Sequence, residues 1–119
     1  MAKRMLDCTA SDLRKFTKED YLSSIAGSEG RVIACECIGI TMPMLMDVTN
    51  AEFASAFGAD ILLLNMFDVE KPVVNGLPGS VPEETVRELK RLTGRMIGIN
   101  LEPVESSYAA ENAGTLWEM

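Results

Sequence analysis

Asp60-Ile61-Leu62-Leu63-Leu64-Asn65-Met66-Phe67-Asp68 lies at the middle of the chain and decides its fold. An apolar run this short, entered from Gly58-Ala59 and left through an acid, predicts a parallel strand buried on both faces. Similar runs flank it: Arg31 to Ile40 before it and Met96 to Glu102 after it. The links between them have helical character. Strand, helix, strand, helix, strand, joined by right-handed crossovers, gives neighbouring parallel strands and an α/β fold built on a parallel βαβαβ unit.

Local signals mark the helices. Thr9 followed by Asp12, and Thr17 followed by Asp20, each place a cap hydroxyl three residues before an acid, and so predict two consecutive helix starts. Leu13, Phe16, Tyr21, Leu22 and Ile25 recur at helical spacing, with Gly27 and Gly30 as the stop. Residues 1–30 therefore form a helical cover over one end of the sheet. Thr49 and Glu52 make a capping box, Phe53, Ala56 and Phe57 supply the apolar face, and Gly58 ends a short helix. Ser80 and Glu83 make another, with Pro82 in the first turn and a stripe of Val86, Leu89 and Leu92 running to Gly94. Pro103 closes the 31–103 unit, and the tail 104–119 holds Tyr108 and Trp117 without a clean period.

Composition narrows the chemistry. The 119 residues are 47% hydrophobic, which suits one globular domain. No apolar run is long enough to span a bilayer, and the start has no apolar signal region, so a cytoplasmic protein without membrane contact is expected. Net charge is -7 with no Lys/Arg stripe, which argues against nucleic acid as a partner. There is no histidine, so Ser-His and Cys-His nucleophile pairs and the commonest zinc ligand are excluded. Cys8, Cys35 and Cys37 are an odd number with no framework spacing and suit a reducing compartment. Cys35 and Cys37, two apart on one strand, are expected reduced and packed beneath helices rather than as a Cys-x-Cys metal or redox site.

Polar residues interrupt the strands at matched places. Glu36, Asn65 and Asn100 each fall late in a strand and are separated by 29 and 35 residues, about one βα unit each. With these three on one face, Cys35, Cys37, Leu64, Met66, Ile99 and Leu101 fall on the other, under the helices. A carboxylate in a buried strand is costly unless it is paired or reaches solvent, which makes Glu36 the leading functional candidate. Polar groups at strand C-terminal ends are where a (β/α)8 barrel holds its active site, and Asp68 and Glu102 stand at the same rim. Glu36, Asn65 and Asn100 are thus the catalytic candidates, and Glu36, Asp68 and Glu102 the candidate ligands for Mg2+ or Mn2+. Met42, Pro43, Met44 and Met46 form an apolar loop after the first strand, suited to packing or oligomer contact. The long loop Val69 to Ser80 has neither a phosphate-loop lysine nor a dinucleotide glycine pattern.

Ala34-Cys35-Glu36, the unit from Thr49 to Asp60 (Thr-Asn-Ala-Glu-Phe-Ala-Ser-Ala-Phe-Gly-Ala-Asp) and Gly98-Ile99-Asn100-Leu101-Glu102-Pro103 resemble the N-terminal part of bacterial TIM-barrel proteins. These proteins are loosely labelled phosphoenolpyruvate phosphonomutase-like, or sometimes haloacid dehalogenase-like hydrolase. The resemblance spans most of this chain and roughly the first third to half of such a protein, so it implies a fragment of a barrel. It carries no activity over. The Lys-Cys-Gly-His motif of the true phosphonomutase and isocitrate lyase enzymes cannot exist without histidine, and a dehalogenase-type Asp-x-Asp is absent.

Two functions follow as expectations. In one, the parent is an enzyme acting on a small anionic or phosphorylated metabolite with a divalent cation. In the other, the chain is an inactive, self-associating structural module. Three strands leave open edges and expose Ile38, Ile61, Leu63, Phe67 and Met96, so a homodimer or higher oligomer is expected.

Overall fold

The computed structural model describes residues 2–79, 81–101 and 107. Ser80, Glu102 and the tail with Tyr108 and Trp117 lie outside them. The fold is α/β. Three parallel strands, β1 (Ala34–Ile38), β2 (Ile61–Asn65) and β3 (Met96–Ile99), form one sheet in chain order. Cys35 is level with Leu62, and Leu62 with Ile97; Glu36 is level with Leu63, and Leu63 with Gly98.

The strands are shorter than the apolar runs that contain them, and single hydrogen bonds carry the pairing a step further. Gly39 N donates to Asn65 O at 3.4 Å, and Asn100 N to Leu64 O at 3.0 Å. At the other end the buried Asp60 carboxylate accepts Ile33 N at 2.9 Å. Its own N donates to Ile33 O at 2.9 Å. Asp60 is therefore a clamp between two strand starts, a buried acid satisfied by backbone.

Because the strand order never reverses, both crossover helices, α3 (Asn50–Ala56) and α4 (Thr85–Thr93), fall on the same side of the sheet. That side holds the core: Cys37, Leu62 and Leu64 from the strands, Ala51 and Leu89 from the helices, and Val74 and Phe67 from the loop after β2. Leu62, Leu64 and Leu89 are fully buried, each stabilising the fold by about 1.5–3 kcal/mol relative to exposure. Burial along β2 alternates, with Ile61, Leu63 and Asn65 only partly covered. The expectation of a strand buried on both faces is corrected: the second face, with Ile61, Leu63 and Asn65, is only partly covered.

Three further expectations change. α3 starts at the capping box of Thr49 and Glu52, but it buries Ala51 and packs Ala54, whereas Phe57 is 81% exposed. Small side chains let the helix sit close to the sheet, which leaves Phe53 and Phe57 to stack on each other with centroids 4.8 Å apart. α4 buries Thr85, Leu89 and Thr93, with Val86 packed beside them and Leu92 only half-buried; Thr93 Oγ1 is satisfied by donating to Leu89 O at 2.9 Å. Phe67 is buried in the core instead of lying on the open face. Met66 takes a left-handed φ of 51°, so strand alternation ends there and the next side chain swings under the helices.

The N-terminal segment closes one end. α1 (Ala10–Leu13) and α2 (Lys18–Ala26) both begin with full capping boxes, Thr9 with Asp12 and Thr17 with Asp20. With the 3-10 turn Met5–Asp7 they enclose Met5, Leu13 and Tyr21, against which Val32 and Met96 pack. Those two residues stand just before β1 and at the start of β3, so the cover sits at the N-terminal end of the sheet. The Tyr21 hydroxyl donates to Leu13 O at 2.9 Å, which gives this phenol a structural partner. No helix among the described residues is long and apolar enough to cross a membrane.

Candidate functional site

Glu36 sits at the middle of β1 on the uncovered face and is exposed to solvent. The register makes Leu63 and Gly98 its neighbours across the sheet, and Ile38 and Asn65 the next pair toward the C-terminal ends. Asn100, one residue beyond β3, is held by its backbone bond to Leu64 O. Alternation from Gly98 puts its side chain on the same face. There its Nδ2 donates to the Glu36 carboxylate, 64 positions away in sequence. Gly98 leaves room for the Leu63 side chain between them: a Cβ at this position would stand 2.6 Å from Leu63 Cδ2. The pair therefore spans β2, from one outer strand to the other.

The remaining candidates are placed differently. Asn65 shares the face by register, but its Oδ1 accepts Met66 N at 2.9 Å and so supports the left-handed turn that ends the strand. Asp68 Oδ1 accepts Glu70 N at 2.8 Å, within its own loop. Glu102 lies outside the described residues. Among the described residues no three of Cys, Asp and Glu gather as a metal site. The structure thus brings Glu36 and Asn100 together, leaves Asn65 adjacent and sets Asp68 apart.

The acids held well below their ordinary pKa are structural. Asp12 is lowered to about 2 because it accepts the Thr9 backbone N–H, the Lys3 ammonium and the Thr9 hydroxyl. Asp20 is lowered in the same way by the Thr17 backbone and hydroxyl. Cys37 moves the other way: burial, with Cys35 and Glu36 nearby, pushes its thiol up to about 11. A protonated, buried thiol is a poor metal ligand or nucleophile. Cys8, Cys35 and Cys37 are all unpaired.

Two asparagines that the sequence reading passed over organise the rim. Asn75 donates its N to Gly39 O at 2.8 Å and its Nδ2 to Ile40 O at 2.7 Å, tying the loop after β2 to the loop after β1. Asn50 Oδ1 accepts Met44 N at 3.0 Å. The signal available was an Asn-Gly pair inside a long loop, and an amide at a helix start. Between them lies a hollow lined by Cys37, Thr41, Asn50, Leu64 and Asn75, with room for about one water. It is too small for a metabolite and lies on the helix side, away from Glu36.

The chain belongs to the family described as domain of unknown function (DUF7916), whose model matches residues 6–119. The match takes in the N-terminal helices and the whole sheet. No curated protein and no solved structure matches the chain.

Proposed function

We propose that this chain is the opening part of a (β/α)8-type barrel enzyme, with its site on the uncovered face at the C-terminal ends of the strands. The single observation that carries this reading is the Glu36–Asn100 pair bridging that face. Three features agree with it. Both crossover helices lie on one side, as barrel helices do, and the N-terminal helices occupy the opposite end of the sheet from Asn100. A solvent-exposed carboxylate also stands where an apolar strand would otherwise continue.

In this reading Glu36 takes or gives a proton at its carboxylate, and the Asn100 amide fixes the orientation of that carboxylate. Asn65 lines the same face, and the substrate is a small anionic or phosphorylated metabolite. Mg2+ is commonly held by one or two carboxylates, with water and substrate oxygens in the remaining positions. As the alternative to proton transfer, Glu36 would be the first such ligand, with Glu102 the further candidate now that Asp68 is turned into its own loop; the cation would neutralise charge on substrate oxygens. The unpaired cysteines suit a cytoplasmic setting. Magnesium or manganese added to the folded chain should raise its thermal stability, and Glu36→Gln should remove the rise.

A second reading is an inactive module that self-associates. It is favoured by the open sheet face, where Ala34 and Ile38 on the outer strand are exposed, and by two outer strand edges that no described strand pairs. Light scattering at micromolar concentration tests it, since a monomer would remove its basis.

A further inference from the structure

The two loops at the C-terminal rim are built as one body, yet they display apolar side chains outward. Their base is fixed. Asn75 bonds to Gly39 O and Ile40 O, Asn50 holds Met44 N, and Pro43, Thr49 and Val74 are buried. Gly76, at φ +90°, lies so close that a Cβ there would stand 2.8 Å from Pro43 Cγ. Met46 adopts a left-handed φ of 64°, unusual for this residue type, at the end of a turn closed by its N donating to Pro43 O at 3.2 Å. Above this base Met42 and Met44 are each 74% exposed, Met46 67%, and Leu45, Val69 and Val73 about half or more.

We infer that this crown is a docking surface for a basic amphipathic helical segment of another protein. Unbranched methionines adapt to irregular apolar partners, and neighbouring methionines suit the apolar stripe of a helix. Charge selects the occupant. Across residues 39–49 and 66–79 the charged side chains are Asp47, Asp68 and Glu70 against Lys71 alone, three acids to one base, on a chain of net charge -7. A second copy would bring acid against acid, and an anionic lipid surface would meet almost no cation. A helix with lysines or arginines beside its apolar stripe matches both the methionines and the acids.

The test uses a fluorescent amphipathic Leu/Lys helical peptide as probe, with a proline-containing scramble of the same composition as control. Expected are a dissociation constant on the order of 10 µM, weakening of about fivefold or more in Met44→Gln/Leu45→Gln, and a shallower salt dependence in Asp47→Asn/Glu70→Gln. All four positions are at the surface, so unchanged unfolding midpoints show that the variants remain folded. Equal affinity for the scramble, or undiminished binding by the Met44→Gln/Leu45→Gln variant, would overturn the inference. So would a dimer that this variant dissolves, or co-sedimentation with anionic vesicles that it abolishes, because the crown would then belong to a second copy or to lipid.

Discussion

Ala10 in α1 rests against Gly94 at the end of α4, so closely that a Cβ on Gly94 would lie 2.3 Å from the Ala10 Cβ. Gly94 also has φ +65°, the left-handed conformation of a helix C-cap, and its N donates to Lys90 O at 2.7 Å. One residue thus ends α4 and admits the N-terminal cover. Gly94→Ala should therefore cost more than the roughly 1 kcal/mol of a strained φ alone. Gly58→Ala is the control, with φ +104° and nothing within 4 Å of its added Cβ. Urea unfolding should show the larger loss at Gly94, part of it recovered in Ala10→Gly/Gly94→Ala.

The core is expected to respond to Leu89 and to ignore Phe57. Leu89 is fully buried between α4 and the sheet, so Leu89→Ala should destabilise by about 2–5 kcal/mol. Phe57 is exposed, and Phe57→Ser should change stability by less than about 1 kcal/mol. The sequence alone puts both residues on apolar helix faces, so denaturation of both variants checks the helix phase directly: α3 is turned with Phe57 outward.

That phase was the least legible feature of the sequence. Capping boxes act over three residues, so Thr9–Asp12, Thr17–Asp20 and Thr49–Glu52 could be read from residue type and spacing. Strand order followed from the crossover rule. Which side of α3 meets the sheet depends on how closely the two can approach, which favours Ala51 and Ala54 over the aromatic pair and leaves no mark in a short periodicity. Phe67 was misplaced because a left-handed Met66 cannot be foreseen from its residue type. The Glu36–Asn100 contact was partly legible: matched positions put both on one face, but Asn65 turning to Met66 N, and Leu63 lying over Gly98, depend on backbone geometry.

Acid should loosen the N-terminal cover. The folded pKa of Asp12, about 2, lies below its ordinary 3.8, and Asp20 is lowered too. A carboxyl depressed in the folded state adds stability that is present above the unfolded pKa and lost as pH falls through the folded one. Stability should accordingly drop between about pH 4 and pH 2. Asp12→Asn and Asp20→Asn should each flatten that part of a stability–pH curve. Wild-type slope retained in both variants would show that other groups govern the transition.

Thiol chemistry should separate Cys37 from Cys8. With its pKa pushed up to about 11 and its side chain under the helices, Cys37 carries almost no thiolate at pH 8. Cys8 is half-buried in the N-terminal segment. Labelling followed by mass spectrometry should modify Cys8 at least about tenfold faster than Cys37 in the native protein, and both alike in denaturant.

The central claim is that the uncovered sheet face carries a functional site centred on Glu36, and thermal denaturation in rising MgCl2 tests it most directly. For a cation bound only by the folded state, a concentration ten times the dissociation constant stabilises by about 1.4 kcal/mol. For a chain of this size that is a rise in Tm of several degrees. The expected result is a saturable rise in the wild type that is lost in Glu36→Gln and reduced in Asn100→Ala. A wild type that shows no saturable rise, or a Glu36→Gln chain that rises equally, would contradict the assignment of a cation-dependent site to this face.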